Sequence, residues 1–158
     1  MRGRSFVWAL VAACGGSPSK PTSVAVENPC WPIVPLRVES IEHGSQWEEV
    51  VTLEAGGRVL HKSSTVGLLE SDHFKLLQGG TLHCTPELRV ELNGNKTALH
   101  YDEHGALVEG SQRVHVGETG VVSFGKNGPG AAVRVRVFGA KDAATRRTAA
   151  LIVFAGLM

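Results

Sequence analysis

The stretch Leu88-Arg-Val-Glu-Leu-Asn-Gly-Asn-Lys-Thr-Ala-Leu-His-Tyr101 decides the fold. Its first five residues alternate apolar with charged side chains, the pattern of a strand with one dry face and one wet face. Asn93-Gly-Asn95 follows, and this pair type adopts the positive φ that a tight hairpin requires. Thr97 to Tyr101 then resumes a β-prone run, so the segment reads as strand, turn, strand.

The same grammar extends in both directions. Upstream stand Leu36-Arg-Val-Glu-Ser-Ile-Glu42, Glu49-Val-Val-Thr-Leu53, Arg58-Val-Leu-His61, Thr65-Val-Gly-Leu-Leu69, His73-Phe-Lys-Leu-Leu77 and Thr81-Leu-His-Cys84. Downstream stand Ala106-Leu-Val108, Arg113-Val-His-Val116, Val121-Val-Ser-Phe124 and Ala132-Val-Arg-Val-Arg-Val-Phe138. Glycine-bearing turns such as Ala55-Gly-Gly57, Gln78-Gly-Gly80, Glu109-Gly-Ser111 and Asn127-Gly-Pro-Gly130 separate them. A turn about every dozen residues predicts a mainly β chain, an antiparallel meander forming a sandwich or a barrel-like sheet. Tyr101-Asp-Glu-His-Gly-Ala-Leu107 resembles one unit of the tyrosine-aspartate repeats of bacterial surface proteins, which implies strand, turn, strand at that point as well.

The C-terminus changes character. Asp142 is a good N-cap, residues 143–150 favour helix, and Leu151-Ile-Val-Phe-Ala155 is continuously apolar. This predicts one helix over about 142–156 that closes one end or face of the sheet; a last buried strand over 151–154 is the alternative. A membrane span needs about 20 apolar residues, more than this tail has.

At the other end, Arg2 and Arg4 precede the apolar run from Phe6 to Ala13, and small residues lead into Cys14. A charged start, an apolar core and small residues before a cleavage point make up an export signal. Val11-Ala12-Ala13-Cys14 resembles the lipobox of bacterial lipoproteins. That resemblance implies cleavage before Cys14, lipidation of Cys14, and, because Gly15 and not Asp follows, an anchor in the outer membrane. Several acyl methylenes at about 0.8 kcal/mol each would supply the hold. Residues 14–23 carry Gly, Ser and Pro but no apolar side chain beyond the cysteine, and read as a tether. Residues 24–158 then form a single domain, which Pro29, Pro32 and Pro35 enter without a helix.

Loss of residues 1–13 would leave fourteen basic against fifteen acidic residues. So neutral a chain gathers no phosphates, which argues against nucleic acid as a partner. With Cys14 assigned to lipid, Cys30 and Cys84 remain, an even number for an oxidising compartment. They read as a disulfide or as two buried thiols, since spacing alone does not bring their Cα atoms within bridging distance.

Groups that could carry chemistry are few. His100 and His104 have the four-residue spacing that presents two imidazoles to one metal on a helix. Here they fall on a strand and a turn, where that spacing has no such meaning, so they are weak metal candidates. The remaining histidines are scattered along strands on wet faces. His83 and Cys84 are adjacent and point to opposite faces, which separates a cysteine nucleophile from that base. No cofactor motif is present. The expected function is a non-enzymatic structural or binding module of the cell envelope, tethered by lipid, with an envelope protein or carbohydrate as partner. A metal- or cysteine-dependent envelope hydrolase is the alternative.

Overall fold

The computed structural model describes residues 29–44, 46–130 and 132–157. The expected signal segment, Cys14 and the expected tether lie outside them. Twelve strands follow one another: β1 (Leu36–Glu42), β2 (Glu48–Leu53), β3 (Arg58–His61), β4 (Ser64–Glu70), β5 (His73–Leu76), β6 (Thr81–Cys84), β7 (Arg89–Leu92), β8 (Asn95–Tyr101), β9 (Leu107–Glu109), β10 (Gln112–Val116), β11 (Val122–Phe124) and β12 (Val133–Phe138). Among the described residues one helix, α1 (Ala143–Leu157), follows β12. All the runs that alternate in the sequence are strands, with bounds that move by no more than two residues.

Each strand from β1 to β10 pairs antiparallel with the next, and β12 returns to pair with β1. The ring then nearly closes between β11 and β12, through a bridge between Val121 and Arg136 and a 2.8 Å bond from the Val137 N–H to the Gly120 carbonyl. The barrel reading is therefore the right one of the two. Gly120 has φ +86°, and a Cβ there would sit 2.2 Å from the Val137 carbonyl oxygen. Only glycine lets the two backbones meet at this seam.

In a meander, successive turns alternate between the two ends of the barrel. The chain begins β1 at the lower end, where the turns at 54–57, 71–72, 85–88, 102–105 and 117–120 also lie. The turns at 62–63, 77–80, 93–94 and 110–111 lie at the upper end. Because β12 runs downward, α1 starts at the lower end and runs up.

A barrel of about eight strands is filled by side chains alone, and twelve strands enclose more space than that. Two pieces of the chain fill it. Thr148, Ala149, Ala150, Leu151, Ile152 and Val153 are all fully buried, and six consecutive helical positions point in every direction around the axis. α1 is thus surrounded, lying against β2, β9 and β10, with Gly156 against Val51 near the upper end. It is an interior helix and not a cover on one end or face, which is why its sequence has no polar stripe. Asp142 caps it as expected: its carboxylate accepts the Thr145 N–H at 2.8 Å. That bond, the largest influence, holds the Asp142 carboxyl below its ordinary range.

The second filler is the segment 29–35. Trp31 is fully buried, its backbone N–H donates to the Ser71 carbonyl at 3.0 Å, and its neighbour Cys30 is bonded to Cys84. Thr148 donates to the Pro32 carbonyl at 2.9 Å, which joins this segment to α1. The prolines do exclude a helix here, and the segment they punctuate carries Cys30 and Trp31 into the core.

Candidate functional site

With the interior occupied, the outer wall carries the exposed chemistry. On β5 and β6 the buried side chains Phe74 and Cys84 point inward, so His73 and His83 point out. They face each other directly across the two strands. The Cys84 N–H donates to the Asp72 carbonyl beside this pair, the arrangement in which facing side chains come closest. The two rings stack with centroids 4.5 Å apart. Asp72, in the turn before β5, lies against both: Oδ1 is 2.8 Å from His73 Nδ1 and Oδ2 is 3.4 Å from His83 Nε2. On β7, Glu91 faces His83, with Oε2 3.9 Å from Nδ1.

Two features hold this cluster from behind. Cys84, the residue after His83, is tied to Cys30 inside the barrel, with Cα atoms 6.2 Å apart. Ser71, the residue before Asp72, accepts the Trp31 N–H. The same internal segment thereby braces both strand ends that carry the imidazoles and the carboxylate.

A second exterior feature covers β1 and β12. Arg136 lies 4.0 Å from the centre of the Trp47 ring and 5.0 Å from that of Phe138, while Arg37 lies 4.6 Å from Phe138. Glu39, mostly covered, accepts from Arg136 at 2.6 and 2.9 Å and pairs with Arg37 at 3.2 Å. The result is a ladder of stacked cations and rings anchored by one carboxylate, with each cation–π contact of order 0.5–1 kcal/mol at such exposure.

Cys30 and Cys84 form a disulfide. This ties up the Cys84 sulfur, which a cysteine nucleophile would need as a thiolate. Cys14 lies outside the described residues. His100, on β8, has Nδ1 2.9 Å from the Ala98 carbonyl oxygen, and His104, in the next turn, has Nε2 3.4 Å from Glu103 with most of its surface in water. Neither belongs to the metal-capable group found among the described residues, which is Asp72, His73 and His83.

The turn between β8 and β9 shows what the tyrosine-aspartate pattern does here. Tyr101 is buried inward, and Asp102 Oδ1 accepts the N–H groups of His104 and Ala106, both at 2.9 Å. Desolvation pushes the Asp102 carboxyl up, but the Ala106 N–H, the Arg113 guanidinium at 3.1 Å and the His104 N–H together outweigh it and leave the group below its ordinary range.

What reading the sequence misses is the His73–His83 pair. Its signal is the Gln78-Gly-Gly80 turn: residues equidistant from that turn face each other, as Lys75 faces Thr81 and His73 faces His83. Among the described residues, no helix is long and apolar enough to cross a membrane. The chain matches no family model, no curated protein and no solved structure.

Proposed function

We propose that this chain is a lipid-anchored, non-enzymatic binding module of a bacterial cell envelope, held at the outer membrane through Cys14. The observation that carries the proposal is the Cys30–Cys84 disulfide, since such bonds persist in exported proteins and are rare in the reducing cytosol. The Val11-Ala-Ala-Cys14 resemblance and the Gly/Ser/Pro tether supply the anchor. A barrel filled by its own helix leaves recognition to the outer wall, and the ladder on β1 and β12 is the surface we assign to a partner. The ring faces of Trp47 and Phe138 are already covered by guanidinium groups, so they are poor platforms for a sugar. Arginines and aromatic side chains are the types enriched at protein interfaces, which favours an envelope protein over a carbohydrate.

Palmitate labelling of the full chain and of Cys14→Ser, followed by membrane fractionation, tests the anchor. The parent should take up label and sediment with the outer membrane, whereas the variant should be unlabelled and released. Equal labelling of both, or a parent recovered unlabelled in the soluble fraction, would overturn the reading.

A further inference from the structure

We propose that Asp72, His73 and His83 form a binding site for one divalent transition-metal cation of the zinc type on the outer wall of the barrel. The donor set points to this class. Two imidazole nitrogens and one carboxylate oxygen suit a borderline cation such as Zn²⁺, whereas Mg²⁺ and Ca²⁺ prefer oxygen donors alone. Geometry adds to the chemistry. One donor atom from each of the three residues lies within 4.8 Å of the others. Donors of a tetrahedral zinc site, about 2.0–2.2 Å from the metal, stand roughly 3.3 Å apart, and the Asp72 to His83 separation of 3.4 Å is close to that.

Register fixes the backbone of the site, and the stacked rings, 23° apart, turn about their side-chain torsions to bring a nitrogen of each onto one cation. His73 and His83 are fixed opposite each other by strand register, and the strand ends beneath them are braced by the Cys30–Cys84 bond and by the Trp31 to Ser71 hydrogen bond. Glu91 stands on the Nδ1 side of His83 while Asp72 stands on its Nε2 side. At 3.9 Å Glu91 makes no hydrogen bond to Nδ1, and its negative charge adds to the attraction for a cation held by Asp72 and the two imidazoles. Three protein donors on an open wall leave the remaining coordination position to solvent. The assignment is independent of the lipid anchor.

The test uses the full chain in detergent with its disulfide intact, stripped of metal and titrated with ZnCl₂ by calorimetry. One Zn²⁺ per chain should bind saturably, with no comparable heat from MgCl₂. His73→Gln and His83→Gln should each weaken binding by more than about tenfold, and His104→Gln should leave it unchanged. Absence of saturable Zn²⁺ binding, or binding that survives both His73→Gln and His83→Gln, would overturn the assignment. Should a variant fail to fold, the parent decides alone. Zn²⁺ should protect His73 and His83, and not His104, from diethylpyrocarbonate as mapped by peptide mass, and equal modification with and without Zn²⁺ would refute the site.

Discussion

The indole N–H of Trp31 donates to the hydroxyl of Tyr101 at 2.7 Å, and that hydroxyl donates onward to the Arg147 carbonyl at 2.8 Å. One phenol thus links the three parts of the molecule: the internal N-terminal segment, the barrel wall and the interior helix. Tyr101→Phe would strip the Trp31 N–H and the Arg147 carbonyl of this partner. A buried polar group left unsatisfied costs about 1–3 kcal/mol. Urea unfolding of the variant should show a loss in that range, with the fold retained.

The same phenol makes a prediction about pH. Burial, only partly offset by the Trp31 hydrogen bond and the Arg147 charge, pushes the Tyr101 hydroxyl well above its ordinary value of 10.0. The folded state therefore holds the proton where the unfolded chain releases it. The associated stability is intact below pH 10 and is lost as pH rises beyond it. Tyr101 is the sole tyrosine of the chain, so phenolate absorbance reports it alone. Its alkaline titration should coincide with loss of the circular dichroism signal, and ionisation of the phenol in a chain that is still folded would contradict this.

The Cys30–Cys84 disulfide closes a loop with a sequence separation of 54 residues. Chain-entropy arguments assign such a loop about 4 kcal/mol. Reduction, or the double variant Cys30→Ala with Cys84→Ala, should lower the urea midpoint accordingly. It should also weaken Zn²⁺ binding to the parent site, because His83 follows Cys84 in its anchoring.

The β3–β4 hairpin turns on Lys62 and Ser63, which have φ of +47° and +72°. Neither residue type favours that region, and each such residue carries roughly 1–2 kcal/mol of strain. Replacing the pair with Asn-Gly, the combination that the β7–β8 turn uses at Asn93-Gly94, should raise the melting temperature by several degrees. Calorimetry of the double variant checks this.

The twelve strands were legible because alternation and turn chemistry are local. Leu88 to Tyr101 reports its own hairpin without help from the rest of the chain. Placement of α1 was not legible, because a run such as Leu151 to Phe154 says that it is buried and not by what. The role of segment 29–35 was hidden for the same reason: prolines exclude a helix but do not say that Trp31 will sit in the core. The His73–His83 pair needed strand register, which joins residues ten apart through the turn between them. By contrast, the visible spacing of His100 and His104 carries meaning only on a helix, and β8 is a strand.

Native-state amide hydrogen exchange shows whether the C-terminal helix fills the barrel. The amides of residues 148–153 should exchange only through global unfolding, with the same protection free energy as the inner positions of β1, β2 and β10. Exchange of those helix amides by a local opening, at a free energy well below that of the strands, would contradict an enclosed helix and return α1 to the barrel's exterior.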